Sequence, residues 1–358
     1  MAQLTKLKNE VEIFGRVKDI NLEETTNRKG VDCIKGSVTI LVRESKEKVH
    51  DITVDVYTNK FKKDGTENAL FKGYKTVKDT FVSIKESGSE KEASFVRVSG
   101  ELQHREFITE QGKHVKYNNV RAKFFNHIEP ENIKNEVGKK GPRAVAVVET
   151  VIQSIKDKLD TDGLPSGDLV VNGFTVDFFG NEPNPNFSPV TPLFDMVVKE
   201  GIADAFQGMY EEKDTAKLTL KINNYAEDAE EDDEEEVETG FGEQEDFGSV
   251  KKTFVNNVEI IGGAPAMVNG KEYDEEQIAL VDKIRKEELA ILEDGYVPST
   301  TSEANVGFGT NETTKKESLS DDELDVEDVD FDFWWKKKEN GLRVYIMEWD
   351  WDVIMRIM

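Results

Sequence analysis

The stretch FVRVSGELQHREFITEQGKHVKYNNVRAKFF, residues 95–125, contains two strand-like segments around a polar turn. In each segment apolar and polar residues alternate, which is the period of a half-buried β-strand. Gly112 lies in the turn, and Gly100 lies inside the first segment, where a missing side chain permits a bulge or tight coiling. The region predicts a β-hairpin that needs further strands to cover its apolar face.

Three more strand patterns precede this hairpin: VEIFGRVKDI at 11–20, CIKGSVTILVRE at 33–44 and HDITVDVYTNK at 50–60. From Leu70 to Ile84, apolar residues recur at spacings of three and four, which predicts one helix that Gly88 ends. Three strands, one helix and two strands is the order of the five-stranded OB-fold barrel. The predicted fold class is therefore mainly β.

The same region resembles the bacterial and phage single-stranded DNA-binding protein family. In that family a G-x-L-x-x-R-x-aromatic strand, here Gly100 to Phe107, leads into a polar turn and a final strand rich in aromatic and β-branched residues. The resemblance covers roughly residues 8–128. It implies that residues 1–128 form an OB-fold domain that binds single-stranded DNA.

Binding a single strand without sequence preference needs basic groups for phosphates and flat rings on which bases stack. Matched to the family pattern, Phe107 takes the stacking position of the fourth strand and Tyr57 the aromatic position near the end of the third. An aromatic on a barrel strand is also commonly a core residue, and we expect Tyr74, Phe95 and Phe124 to be in the core. The complete set of candidate DNA-binding residues is Tyr57, Phe71, Phe107, Tyr117, Arg16, Lys60, Lys62, Arg105, Lys116, Arg121 and Lys123.

The net charge of −26 would disfavour nucleic acid if it were uniform along the chain. Residues 1–128, however, contain 24 Lys and Arg against 19 Asp and Glu, a net charge of +5. Residues 226–246 contain 13 carboxylates and no basic residue. This acidic block is either a solvated segment or a phosphate mimic that competes for the basic groove.

A second OB-like domain is predicted over residues 142–263, with the insertion 226–246 between its last two strands. Its strand-like segments are 143–155, 167–181, 216–228 and 249–263, and its helix-like segment is 191–209. HVKYNNVRAKFF and SVKKTFVNNVEII share Asn-Asn-Val, which supports a repeat, although residues 143–159 also have the composition of a helix. This domain either contributes DNA contacts or serves for dimerisation or for pairing with the first domain. The candidate contacts are Phe174, Phe178, Phe179, Lys251, Lys252 and Phe254.

Residues 271–294 have a helical apolar face, followed by Gly295 as a stop. Residues 296–333 have the composition of a disordered linker and acidic tail. The tail resembles the acidic, Phe-containing tip with which the DNA-binding family recruits replication and repair proteins. That resemblance implies a partner-binding set of Asp328, Asp330, Phe331, Asp332 and Phe333. Residues 334–358, which contain all four Trp, follow the tip here, whereas in the family the tip ends the chain.

The sequence predicts a protein that is not an enzyme and has no cofactor. Cys33 is the single cysteine, the four His are scattered, and no GxxxxGK[ST] phosphate loop is present. The N-terminus lacks a signal-peptide pattern, so we expect a cytoplasmic protein, in the bacterial host if phage-encoded.

The leading hypothesis is a monomeric or homo-oligomeric protein that coats single-stranded DNA during (phage) replication or recombination. It would recruit polymerase-, helicase- or primase-class partners through the acidic tail. The alternative is an acidic DNA mimic or protein-interaction scaffold built on OB-like barrels.

Overall fold

The computed structural model describes residues 3–27, 30–62, 64–109, 111–160, 162–177, 188–228, 252–267 and 272–294. Alternating apolar residues in the first half of these ranges form the strands of one barrel. Its elements are β1 (Asn9–Thr26), β2 (Asp32–Arg43), β3 (Val49–Asn59), α1 (Ala69–Thr80), α2 (Ile84–Ser87), β4 (Phe95–Ile108) and β5 (His114–His127).

The first barrel closes in the strand order β2-β3-β5-β4-β1, with β1 returning to β2. All of these pairings are antiparallel except that of β3 with β5, which is parallel at Val54 and Val120. This is the connectivity of an OB-fold.

Helix α3 (Ile133–Val137) and a single 3-10 turn at 138–140 lead into a second barrel with the same connectivity. Its strands close in the order β6-β7-β8-β10-β9-β6, and β8 pairs parallel with β10. The mainly β fold with two tandem barrels and a C-terminal helix is therefore confirmed. The elements are β6 (Arg143–Leu159), β7 (Pro165–Val176), β8 (Val190–Val198), α4 (Glu200–Gln207), β9 (Thr215–Asp228) and β10 (Lys252–Ala264).

Two helix predictions were wrong in extent. Residues 190–198 form β8 instead of the first half of a helix. Consecutive residues such as Val197 and Val198 are both buried, so this strand lacks the apolar and polar alternation by which a half-buried strand is recognised. The helix predicted from Leu70 onward is split, since Val82 leaves the helical path and exchanges hydrogen bonds with Ser94 of 2.9 and 3.0 Å. Residues 143–159, for which strand and helix were both open, form a strand.

The acidic insertion joins the last two strands of the second barrel, since β9 ends at Asp228 and β10 begins at Lys252. Residues 229–251 lie outside the described residues, as does everything after Asp294, including Gly295 and the acidic tail. Helix α5 (Glu275–Asp294) packs its buried Val281 against the second barrel, in a cluster with Phe174 and the N-terminal Leu7. None of the described helices is long and apolar enough to cross a membrane.

The barrels are joined edge to edge by strands β1 and β6. Residues Asn9–Phe14 of β1 pair antiparallel with Arg143–Val148 of β6, which makes one ten-stranded sheet. Buried side chains of both barrels form one continuous hydrophobic cluster. The two barrels are therefore held in a fixed relation by backbone hydrogen bonds and by a shared core.

Gly100 lies where the pairing of β4 with β5 shifts register. A Cβ at this position would be 2.2 Å from the carbonyl oxygen of Arg121, a distance that backbone atoms cannot tolerate without moving. The barrel therefore requires glycine here to coil tightly.

We predict that Gly100→Ala destabilises the protein by about 1–3 kcal/mol, because the added methyl group forces the β5 backbone away. Chemical denaturation monitored by circular dichroism measures this change. Gly73→Ala is the matched control: it lies on the exposed face of α1 with nothing within 4 Å of the added Cβ. It should be neutral or stabilising by up to about 1 kcal/mol. Equal stability of the two variants would contradict the packing argument.

Candidate functional site

One outer face of the first barrel carries an exposed group of aromatic and basic side chains. On β3 the inward residues are Val54 and Val56, so Tyr57 points outward. On the β4–β5 hairpin Arg105 is opposite Tyr117, and Phe107 is two residues further on the same face as Arg105. We call Tyr57, Arg105, Phe107 and Tyr117, together with Asp55 and Asn119 between them, the aromatic surface.

The rings of the hairpin are accessible to a ligand. Phe107 is 37 % exposed and Tyr117 is 43 % exposed. Exposure of such large apolar rings to water is unfavourable in free energy. Tyr57 is half-buried, and its hydroxyl donates a hydrogen bond of 3.2 Å to Asn59. These rings therefore offer flat faces in positions set by neighbouring strands.

Asp55 organises the polar part of the aromatic surface. Its Oδ2 lies 2.9 Å from Arg105 Nη2 and accepts a hydrogen bond of 2.5 Å from Asn119 Nδ2. The three side chains come from three different strands, β3, β4 and β5. The positive charge of Arg105 offsets the negative charge of Asp55, which would otherwise repel an approaching anion. Arg105 also keeps further N–H donors that such an anion can accept.

A second basic and aromatic group follows the end of β3. The ammonium group of Lys60 lies 5.4 Å from the centroid of the Phe61 ring and 3.5 Å from Asp32. Phe61 is 46 % exposed, and Lys62 is half-buried beside it in the chain. Phe61 was not among the predicted residues. The signal that could have found it is an aromatic residue flanked by lysines in NKFKK, directly after a strand.

Some predicted binding residues do not join this surface. Phe71 is wrong as a contact, because it is only 3 % exposed and α1 holds it in the core. Lys116 alternates onto the opposite face of the hairpin, where its ammonium group lies 4.9 Å from the ring centroid of Phe194 in the second barrel. Arg16 donates instead to the Ala93 carbonyl at 2.7 Å.

Arg121 and Lys123 are taken up by contacts within the barrel. Arg121 is buried, and its Nη2 donates to the carbonyl of Tyr57 at 3.3 Å, beneath the aromatic surface. Burial lowers the pKa of the Arg121 guanidinium. Lys123 lies 2.6 Å from the buried carboxylate of Glu101. Both residues support the strands that carry the surface.

Of the three aromatic side chains expected in the core, two are there. Tyr74 and Phe95 are buried, and the Tyr74 hydroxyl donates to the carbonyl of Ala122 at 2.7 Å. Phe124 is 43 % exposed, so the core prediction for this residue was wrong. The reason is the register shift at Gly100, which interrupts the alternation of β5 against β4.

The second barrel holds the hairpin that carries most of the aromatic surface. Asn118 donates to the carbonyl of Pro192 and accepts from the amide of Phe194, both at 2.7 Å. From α5, Arg285 reaches Glu106 at 2.5 Å. His104 lies near this pair, and its pKa is lowered to about 4, mainly by burial and to a smaller extent by the positive charge of Arg285. This imidazole is therefore neutral at pH 7. The hairpin is consequently fixed in place.

The partner-binding residues predicted in the acidic tail lie outside the described residues, as do Phe178, Phe179 and Lys251. Phe174 is fully buried, and Phe254 is 79 % exposed on β10. Among the described residues, no group of His, Cys, Asp or Glu side chains has the arrangement of a metal site.

Comparison with known proteins places the chain in a family. No curated protein matches the sequence. Two solved structures of the single-stranded DNA binding protein from Thermus aquaticus, the wild type and a deletion mutant, are each 11 % identical at a TM-score of 0.39. The alignments cover 76 % of this chain and 100 % and 98 % of those chains. The family model described as YorF matches residues 8–295, so the chain belongs to the YorF family.

Proposed function

We propose that this protein binds single-stranded DNA, largely without sequence preference, and that it is not an enzyme. The observation that carries the proposal is the aromatic surface, where Phe107, Tyr117 and Tyr57 lie on one face of an OB-fold barrel with Arg105 among them. Every base has a flat face, so stacking on such rings binds a single strand whatever its sequence, with about 1–3 kcal/mol per stacked base. A duplex hides its base faces and would lose this contribution.

Charge supports the same proposal. Residues 1–128 have a net charge of +5, whereas most of the negative charge lies beyond them. Arg105, Lys60 and Lys62 are placed beside the exposed rings, which is where phosphates of a stacked strand would run. Phosphates on these cations release counterions, so binding should weaken as salt rises.

The wider role is proposed from the sequence. We propose that the protein coats DNA in replication, recombination or repair, in the cytoplasm of a bacterial host if phage-encoded. The acidic tail, with Asp328, Asp330, Phe331, Asp332 and Phe333, would recruit polymerase-, helicase- or primase-class proteins. Carboxylates steer such a peptide towards basic sites, while its Phe side chains bury apolar area.

We predict that Phe107→Ala and Tyr117→Ala each weaken oligo-dT binding by about 1–3 kcal/mol, roughly 5- to 150-fold in Kd, because each removes a stacking ring. Fluorescence anisotropy with a labelled oligo-dT measures the loss. Ile291→Ala is the control, because it removes an apolar side chain on α5 that is even more exposed, at 73 %. Variants that bind as tightly as this control would contradict the assignment of the rings.

We predict that Arg105→Gln reduces the slope of log Kd against log salt by about 0.7, the value for one phosphate contact on a single strand. Arg43→Gln is the matched control, because Arg43 also pairs with a half-buried carboxylate, Glu90 at 2.7 Å, away from the aromatic surface. The control should keep the wild-type slope. If the slopes of both variants equal that of the wild type, Arg105 does not contact phosphate.

We predict that Phe331→Ser with Phe333→Ser abolishes binding to a purified replication partner and leaves the affinity for oligo-dT unchanged, since the tail is separate from the barrels in the sequence. Isothermal titration with a helicase, primase or polymerase of the same replication system tests this. Replacement of Val326 and Val329 by Ala, which keeps the Phe pair, is the control. Undiminished partner binding by the double Phe variant would remove the recruiting role.

A further inference from the structure

The outer face of the second barrel contains a pocket of about 400 Å³ with an unusual number of lysines. Strands β9 and β10 form its floor, and four lysines line it, Lys48, Lys158, Lys199 and Lys221. Lys48 comes from the first barrel, where it precedes β3. The pocket therefore lies at the junction of the two barrels.

Carboxylates hold these lysines in place. Lys221 lies 2.7 Å from Glu44, and Lys158 and Lys199 lie 3.2 and 3.1 Å from the same oxygen of Asp168. Lys48 lies 3.5 Å from Glu227. Of the residues that line the pocket itself, four are lysines and two, Glu227 and Glu259, are acidic. Each ammonium group has three N–H donors, so donors remain for an anion that enters the pocket.

Asn223 indicates what else the ligand must supply. Its side chain is only 3 % exposed, and its Nδ2 donates to Asn257 and to Glu259, both at 3.0 Å. Its Oδ1 accepts no hydrogen bond from any part of the chain that the structure describes, although it is buried. A buried acceptor without a donor is unfavourable, so the pocket suits a ligand with both negative charge and an N–H or O–H group.

We propose that this pocket binds a phosphate-bearing nucleotide of the same single strand that the aromatic surface holds. The proposal rests on the proposed function and extends it to the second barrel. A nucleotide supplies both requirements: its phosphate meets the lysines, and a base or sugar donor reaches Asn223.

The position of the pocket favours a nucleic acid over an acidic peptide. Asn223 is opposite Asn257 in the β9–β10 pairing, as Gln103 is opposite Asn119 in the β4–β5 pairing next to Arg105 and Tyr117. The pocket and the aromatic surface therefore occupy the same outer face of corresponding strands. One strand of DNA that crosses the junction would be bound by both barrels through the same element of the fold.

Lysine acetylation of the full-length protein, followed by peptide mass spectrometry, tests the contact without any substitution. We expect an oligo-dT of about 30 nucleotides to slow modification of the four pocket lysines at least fivefold. Four lysines that also pair with carboxylates but lie outside the pocket, Lys72, Lys85, Lys213 and Lys283, should react as before. Unchanged reactivity of the pocket lysines would overturn the proposal, and so would protection by poly-glutamate but not by oligo-dT.

Substitution gives a second readout. K48Q/K158Q/K199Q/K221Q should bind the long oligo-dT at least tenfold more weakly, with a salt slope reduced by about 2–3, at roughly 0.7 per lost phosphate contact. It should retain binding to an oligo-dT of about 8 nucleotides, which is within the range that one OB-fold covers. The control K72Q/K85Q/K213Q/K283Q has the same change in charge.

The two failures are distinguishable. If the wild type binds the long oligo-dT and the pocket variant behaves like the control, the pocket is not a nucleotide site and the proposed function stands. If the wild type binds neither oligonucleotide, the proposed function itself fails.

Discussion

The backbone pairing of β1 with β6 is the constraint on which the rest of the structure depends. Residues Val11–Arg16 of β1 pair with β4 of their own barrel, and Asn9–Phe14 pair along the other edge with Arg143–Val148 of the second barrel. A strand edge left open in this position would expose unpaired N–H and C=O groups and invite association with other chains. Each barrel therefore covers an edge of the other, and the pairing determines how the two outer faces are oriented.

Charged and polar side chains at this junction form ion pairs and hydrogen bonds that depend on the β1–β6 pairing. Glu12 on β1 lies within 2.9 Å of Arg143 and within 2.7 Å of Arg97, and Arg143 lies over the Phe14 ring at 4.5 Å. Asn9 reaches Asp177 of the second barrel at 3.3 Å, and burial raises the pKa of that carboxyl to about 6. Because this folded pKa is above the unfolded one, the charged Asp177 costs stability above pH 6, and the cost is relieved as the pH falls towards 4. The junction thus has a polar interior whose stability depends on pH.

Strand period and element order were sufficient to predict the first barrel, because its strands alternate clearly and its helix is amphipathic. The second barrel was harder to predict from the sequence, for physical reasons. Strand β8 is buried on both faces, so it lacks the alternation that separates a strand from a helix, and β6 is apolar over a long run.

For the site, the sequence indicated which residue types bind DNA but not which side of a strand or helix each side chain lies on. Phe71 and Lys116 have suitable side chains, yet only the packing of α1 and the contact of Lys116 with Phe194 reveal that they point away from the aromatic surface. The lysine pocket has no sequence signature, because its members come from both barrels.

We infer that an aromatic, basic face on the first barrel binds single strands and not duplexes. An electrophoretic mobility shift with labelled oligo-dT, competed separately by unlabelled oligo-dT, duplex DNA and RNA, tests it most directly. We expect a shift that unlabelled oligo-dT abolishes and that an equal concentration of duplex leaves nearly intact, because base faces are accessible only in the single strand. The RNA competitor reports how strongly the surface distinguishes the two sugars. Absence of any shift, with the full chain and with a chain that ends before the acidic tail, would contradict the claim and favour a protein-interaction scaffold.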